Sequence, residues 1–414
     1  MDFRERTKIT LGKLHKLLNT NFDRAFGMDI SDSSVEIAEL SKLFRFSIEN
    51  YGRIELAPGT IKEGIILDEK ALAEKVKTLL QDMKPRKVST NKVILSLPQA
   101  RVLTHHFVLS TTLRGDALRL LVQKEIVKIL PITPARMYWD IRSRQLPGGQ
   151  TSVMFVGVQR DVVETYVRVC NSIGLSVVSL GLEPLSISRL MLSAGPAITA
   201  IVDIGNNVTN ISLVRGNDEL DMAVTVEIAG RAMTQAIAQG LNIDEAQAEA
   251  KKIAVGTGGS DETFFLVEPV IKKIGIEVSK TIAYYEETFK EPVTSLLVVG
   301  GASAMSGVKE KLGEVVGKPA SGAIHFNNFE NLSSLNKKEG GGDISMLYTS
   351  VIGLAMLGAS NEFEDVNLLK QMGAAKLNYI NRSELFGAGY LSKLTAIRIF
   401  LNSRLMLAVS LTLC

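Results

Sequence analysis

Residues 26–40 read FGMDISDSSVEIAEL. Apolar residues flank a tight polar turn, a pattern that predicts two short strands joined as a hairpin. The first strand carries Asp29 near its end, and Ser31, Asp32, Ser33 and Ser34 crowd the turn. Small turn residues leave successive backbone N–H groups open, and such groups form a concave cradle for phosphate oxygens. Bulky side chains would block that approach. An aspartate at the strand end repels phosphate directly, but it can hold a hydrated Mg²⁺ that bridges to it. Taken alone the stretch is also an ordinary turn, because Asp, Asn and Ser are common turn residues.

The design recurs. TAIVDIGNNVTNISL at 199–213 repeats strand, aspartate, small polar turn and strand, with Asp203 falling on Asp29 and Asn207-Val208 near Ser33-Ser34. Internal duplication predicts two lobes of like construction. One acidic hairpin per lobe, Asp29 in the first and Asp203 in the second, would grip a metal-bound polyphosphate from opposite sides. The second turn offers Gly205, Asn206, Asn207 and Thr209. In LLVVGGASAMSGVKEKL at 296–312 an apolar strand ends in Gly300, Gly301 and Ala302 before a helix. That arrangement suits a backbone approach to a flat ring or sugar beside a helix N-terminus. AEAKK at 248–252 puts Glu249 and Lys252 on one helix face. The pair either reaches ribose or base edges or forms a surface ion pair.

Bulk composition allows this plan. The chain has 414 residues, 46% hydrophobic and 22% charged, which is enough for two lobes around real cores. Cys170 and Cys414 form no metal-ligand spacing and suit a reducing compartment. His105 and His106 are adjacent, so on a strand they point to opposite faces. The net charge of +3 is unevenly placed. Residues 1–25 are basic, and 366–414 carry six Lys or Arg against Glu384 alone. An acidic body with basic ends argues against a nucleic-acid partner and suits an anionic membrane surface, unless the ends are merely solvated. Residues 1–25 lack the continuous apolar core of a signal peptide, and no run of about 20 apolar residues occurs. The last ten residues, LMLAVSLTLC, follow Arg398 and Arg404 and read either as the first half of a membrane span or as a short buried helix.

Periodicity predicts an amphipathic helix over 7–20 and helices over 68–83, 114–130 and 161–173. It predicts one Gly-interrupted helix over 229–253, then helices near 265–289, 306–316 and 344–359. Strands are expected at 93–98, 102–109, 137–146 and 295–301, with flexible loop at 331–343.

In order, the acidic hairpin, LEPLSIS at 182–188, the second acidic hairpin, AEAKK and the Gly-Gly turn resemble the actin-like ATPase superfamily. The resemblance implies an α/β actin-like fold of two duplicated lobes with ATP and Mg²⁺ between them. It assigns Ser31, Ser33, Ser34, Gly205, Asn206, Asn207 and Thr209 to the phosphate turns. Glu249, Lys252, Gly300, Gly301 and Ala302 fall to adenosine, and Glu183 to orienting the attacking water. Within the superfamily, GMDISDSSVEIAEL is similar to GLDIGSSSVKVVEL of the PilM family of type IV pilus assembly proteins. VDIGNNVTNISLVRG and EIAGRAMTQAIAQGLNI are PilM-like as well, and the resemblance spans about 20–360. It implies a basic N-terminal segment at 1–25, a first lobe at 26–88 continued at 179–198, and a small α+β module inserted at 89–178, as in the relative FtsA. The second lobe would occupy 199–343 and a returning helix 344–360, with a tail at 361–414. Two departures stand out. Ser31 replaces the usual glycine and narrows the approach to phosphate. Asn206 and Asn207 replace smaller residues, so binding is expected and fast hydrolysis is not.

DVNLLK at 365–370 resembles the INLLP segment that opens PilN, the membrane partner of PilM, and the secretion protein GspL has a comparable arrangement. The resemblance predicts that Val366, Asn367, Leu368 and Leu369 dock in a groove of the inserted module, in their own chain or a neighbour's. Three buried apolar residues contribute on the order of a few kcal/mol. The implied function is a nucleotide-dependent scaffold at the cytoplasmic face of the inner membrane. It would engage a PilN-like protein or its own tail, other pilus-assembly proteins, or further copies of itself. The alternatives are an FtsA-like filament protein and a sugar or acid kinase of the same superfamily.

Overall fold

The computed structural model describes residues 24–42, 45–130, 133–255, 261–322 and 347–360, with Phe329, Leu368 and Leu369. The expected helix at 7–20, the loop at 331–343, Val366, Asn367 and the apolar run 405–414 lie outside the described residues.

The first hairpin pairs β1 (Phe26–Ile30) with β2 (Ser34–Lys42), and β2 continues antiparallel into β3 (Phe46–Glu55). The short hairpin β4 (Ile61–Lys62) and β5 (Ile65–Ile66) follows, then helix α1 (Glu69–Asp82). Asp68 caps α1 by accepting from Ala71 N at 2.9 Å, and the helix buries Leu72, Val76 and Leu79. Strand β6 (Lys92–Leu97) lies within the stretch 89–178 yet joins the main sheet, parallel to β1. The separate inserted sheet runs β7 (Leu103–Leu109), β9 (Gln150–Gln159), β8 (Met137–Leu146), covered by α2 (Gly115–Ile126). Its core joins Leu118, Val122 and Ile126 to Trp139 and Phe155. Helix α3 (Arg160–Ser172) and β10 (Ser176–Leu182) lead back to the main sheet, where β10 pairs parallel with β6. Helix α4 (Glu183–Met191) follows at once.

The second half repeats the construction. Strands β11 (Ile198–Ile204), β12 (Thr209–Arg215) and β13 (Glu219–Val226) form an antiparallel meander. Then β14 (Val293–Val299) and β15 (Ala320–Ser321) add in parallel. The sheet orders β3-β2-β1-β6-β10 and β13-β12-β11-β14-β15 are therefore the same in kind. Between the meander and β14 come α5 (Gly230–Leu241), α6 (Glu245–Val255) and α7 (Asp261–Phe289), and α8 (Val308–Val316) precedes β15. The single helix expected over 229–253 is two. The break falls at Asn242, whose left-handed φ of 50° ends α5, whereas Gly240 stays helical beneath Leu266.

Helix α9 (Thr349–Ser360) returns to the first lobe, with every residue from Thr349 to Ala359 buried. Small residues permit the close contact. A Cβ on Gly353 would land on the Ser186 carbonyl of α4, and one on Gly358 would land on the Ala25 carbonyl before β1.

Candidate functional site

Asp29 on β1 stands opposite Glu36 on β2. Because β6 runs parallel with Met28 beside Leu95, Ser96 comes next to Asp29, and α9 brings Ser350 to the same place. Asp203 on β11 stands opposite Asn210 and beside Val299 of β14. Glu183 opens α4 and accepts a hydrogen bond from Asn210 Nδ2 at 3.4 Å. Its carboxyl feels the charges of Asp203, Asp29 and Glu36, so acids from both sheets lie within electrostatic reach of one another, although among the described residues no three of them are close enough to hold a metal ion by themselves. Asp29, Glu183 and Asp203 are half-buried, enclosed by protein yet reached by solvent, as groups on the floor of a cleft are.

Burial is the first cause of their titration behaviour, and mutual repulsion the second. Burial raises Asp29, and the nearby Ser96 and Ser350 hydroxyls do not offset it. Burial and the charge of Asp29 push Glu36 up to about 7, although Arg53 Nε lies 2.9 Å from its carboxylate. Asp203 rises to about 6 by burial and the charge of Asp29, while a hydrogen bond from Glu183 pulls it down. Glu183 lies well above its usual value, first by burial and then by the charges of Asp203 and Asp29. The proton of the Glu183–Asp203 pair therefore sits on Glu183.

The two polar turns close with the same bond: Ser31 N donates to Ser34 O at 2.9 Å, and Gly205 N to Val208 O at 3.0 Å. The second turn is braced by the start of α5, where Gly230 N donates to Gly205 O at 3.0 Å and Arg231 N to Asn206 O at 2.8 Å. Asn206 and Asn207 are exposed, whereas Thr209 is buried and donates to Ile228 O at 2.6 Å. Lys252 is buried, and its ammonium meets Glu249 at 2.7 Å, Thr234 Oγ1 at 2.8 Å and Gly230 O at 3.1 Å. All three of its donors thus work inside the lobe. Lys252 braces α5 and the second turn, and the carboxylate of Glu249 is engaged by Lys252 and by Thr234 Oγ1 at 2.5 Å, although its side chain is 41% exposed.

Gly300 has φ +88°, and a Cβ there would lie 2.6 Å from Ile204 O and strike Asp203. The glycine is what lets β14 end against the second acidic turn. Gly301 is exposed, and a Cβ on it would meet nothing closer than Leu347 at 4.0 Å. Packing among the described residues does not require that glycine, which leaves bare backbone open to a flat ligand. Ala302 is buried against Gly230.

Glu36, Ser96 and Ser350 take part here without belonging to any motif. Ser96 is a lone hydroxyl in the apolar segment VILSLP, and that isolation is its available signal, whereas Ser350 follows Tyr348 and Thr349 at the start of an apolar helix and carries no such signal. Ser350 Oγ is buried beside Asp29. Asp32 leaves the cradle altogether. It accepts from Glu63 N at 2.7 Å and Gly64 N at 2.9 Å, tying the turn to the β4–β5 hairpin. Arg101 Nε and Tyr166 OH hold the same hairpin through Glu63 O and Gly64 O, at 2.5 and 3.1 Å. Of the tail residues, Leu368 is 1% exposed and Leu369 half-buried.

Paired sheets of one order, an acidic hairpin in each and a shared acidic floor define a two-lobed protein of the actin-like ATPase fold. The family model "Type IV pilus assembly protein PilM" matches residues 27–359, and the chain belongs to that family. Among solved structures it is similar to a PilM-PilN type IV pilus biogenesis complex, at 20% identity and a TM-score of 0.67, covering 81% of this chain and 98% of that one. It is more distantly similar to the ethanolamine utilization protein EutJ from Carboxydothermus hydrogenoformans, at 16% identity and a TM-score of 0.49, covering 80% and 89%. The cytoplasmic domain of EpsL of the Vibrio cholerae type II secretion system matches at 10% identity and a TM-score of 0.38, covering 84% and 98%. Only the first likeness is close enough to define the fold.

Proposed function

We propose that this member of a type IV pilus assembly family binds ATP with Mg²⁺ between its lobes, and that nucleotide sets the surface it offers to assembly partners at the cytoplasmic face of the inner membrane. The observation that carries the reading is the convergence of Asp29, Glu36, Glu183 and Asp203 from both sheets. Each carboxyl is held towards its protonated form there, and Arg53 beside Glu36 does not offset the burial. Carboxylate oxygens suit Mg²⁺, which keeps several waters and takes one or two protein carboxylates plus substrate phosphates. Asp29 and Asp203 are the residues that would hold it, and the turns at Ser31–Ser34 and Gly205–Thr209 would take the phosphates. The uncovered backbone at Gly301 suits the adenosine end. Bound, the metal would supply charge neutralisation between the two lobes. Binding energy then goes into closing the lobes rather than into substrate chemistry.

The partner side rests on the tail. DVNLLK resembles the PilN docking segment, and Leu368 within it is buried. A PilN-like membrane protein or the chain's own tail would take that place. Calorimetric titration with ATP in the presence of Mg²⁺ tests the nucleotide reading. Wild type should bind, and Asp203→Ala should lose at least tenfold in affinity while its weak binding in EDTA stays unchanged. Equal Mg²⁺-dependent affinity in the two proteins would discard the metal assignment.

A further inference from the structure

The two phosphate turns form an internal comparison. They share strand register, with Ile30 opposite Val35 and Ile204 opposite Thr209, and they share the closing bond from the first turn residue to the fourth. They differ at the first position, Ser31 against Gly205. Ser31 folds its hydroxyl back into its own turn. Ser31 Oγ accepts from Ser34 N at 3.1 Å and from Ser33 N at 3.4 Å, and it lies 3.1 Å from Ser34 Oγ. Among the described residues, no side chain takes the matching N–H groups of Asn207 and Val208.

Those N–H groups are what a phosphate oxygen would need in the first turn. A hydroxyl oxygen has two lone pairs, and both backbone donors converge on this one. We infer that Ser31 acts as an internal stand-in for a phosphate oxygen: its hydroxyl occupies the first cradle and must swing out before a polyphosphate can seat. This rests on the nucleotide reading and adds to it a residue that sets affinity. Ser31 and Ser33 are exposed, so the hydroxyl has room to turn away about χ1 without disturbing the core. The exchange gives up one set of hydrogen bonds for a charge-assisted set, so it weakens binding without preventing it.

Removing the hydroxyl should therefore tighten binding, the opposite of what deleting a ligand-contacting side chain does. Full-length Ser31→Ala and Ser31→Gly should bind ATP·Mg²⁺ about tenfold more tightly than wild type. Ser31→Thr keeps the hydroxyl and should match wild type. Tripolyphosphate with Mg²⁺ should show the same gain, and adenosine should show none. The alanine variant also tests a purely structural role, in which loss of the turn bonds lowers the melting temperature and leaves ATP affinity equal or weaker. That result, with wild type binding normally, overturns the inference and leaves the nucleotide reading standing. Absence of ATP·Mg²⁺ binding in all four proteins would overturn both.

Discussion

At the scale of single residues, the acidic floor makes stability and binding depend on pH in opposite senses. A carboxyl raised on folding binds its proton in the native state over a range where the unfolded chain has already lost it. Stability is therefore greatest at the acid end and falls as pH rises through the folded value. For Glu36 the decline begins near 4.5 and is complete above about 7. Metal-free protein should thus melt at a lower temperature at pH 7.5 than at pH 5.5, and Glu36→Gln should flatten that slope. Glu36 contributes on the order of 1–3 kcal/mol to the difference. A melting curve that rises over this interval, unchanged by Glu36→Gln, would contradict the assignment. Mg²⁺ bound there as proposed would have the reverse effect, drawing the carboxyls to their charged forms.

At the scale of elements, contacts between backbones place the site. Helix α9 lies so close to α4 and β1 that Gly353 and Gly358 have no room for a methyl group. Gly353→Ala should cost about 2 kcal/mol or more, because the clash is with backbone at Ser186 and no flexible side chain can yield. Chemical denaturation measures it. Since α9 also carries Ser350 to Asp29, the variant should weaken Mg²⁺-dependent ATP binding although residue 353 touches no proposed ligand group. The β4–β5 hairpin plays a similar part on the other side of the turn. Asp32 grips it from the first polar turn, while Arg101 and Tyr166 grip it from segments that flank the inserted sheet.

At the scale of the whole molecule, the inserted module grows from the first lobe but also leans on the second. His106 of β7 stacks on Phe289 at the end of α7, with ring centroids 4.3 Å apart and planes 20° apart. Arg144 of β8 pairs with Glu219 of β13 at 3.2 Å, and Thr104 Oγ1 donates to Ala223 O at 3.5 Å. Burial holds His106 down at about 4, so the stack is uncharged across the physiological range. The module therefore bridges the two lobes. Phe289→Ala should speed amide exchange along β7 and β13 by at least tenfold and leave β1 and β11 protected. Uniform exchange in all four strands would show that the stack does not hold the bridge.

Local chemistry made much of this legible. Two runs of apolar residues around Asp29, Ser31 and Ser34, repeated around Asp203 and Gly205, suffice for paired hairpins and a duplicated fold, because strand period and turn chemistry act over a few residues. Ending one helix at Asn242 required a left-handed residue that periodicity does not register. Only the tertiary structure brought Glu36, Ser96, Glu183 and Ser350 to the two aspartates, committed Lys252 inward and set His106 on Phe289. Those neighbours are far apart in the chain and meet through strand order and helix crossings. Their burial and mutual charge, which decide where the protons sit, exist only once the sheets are assembled.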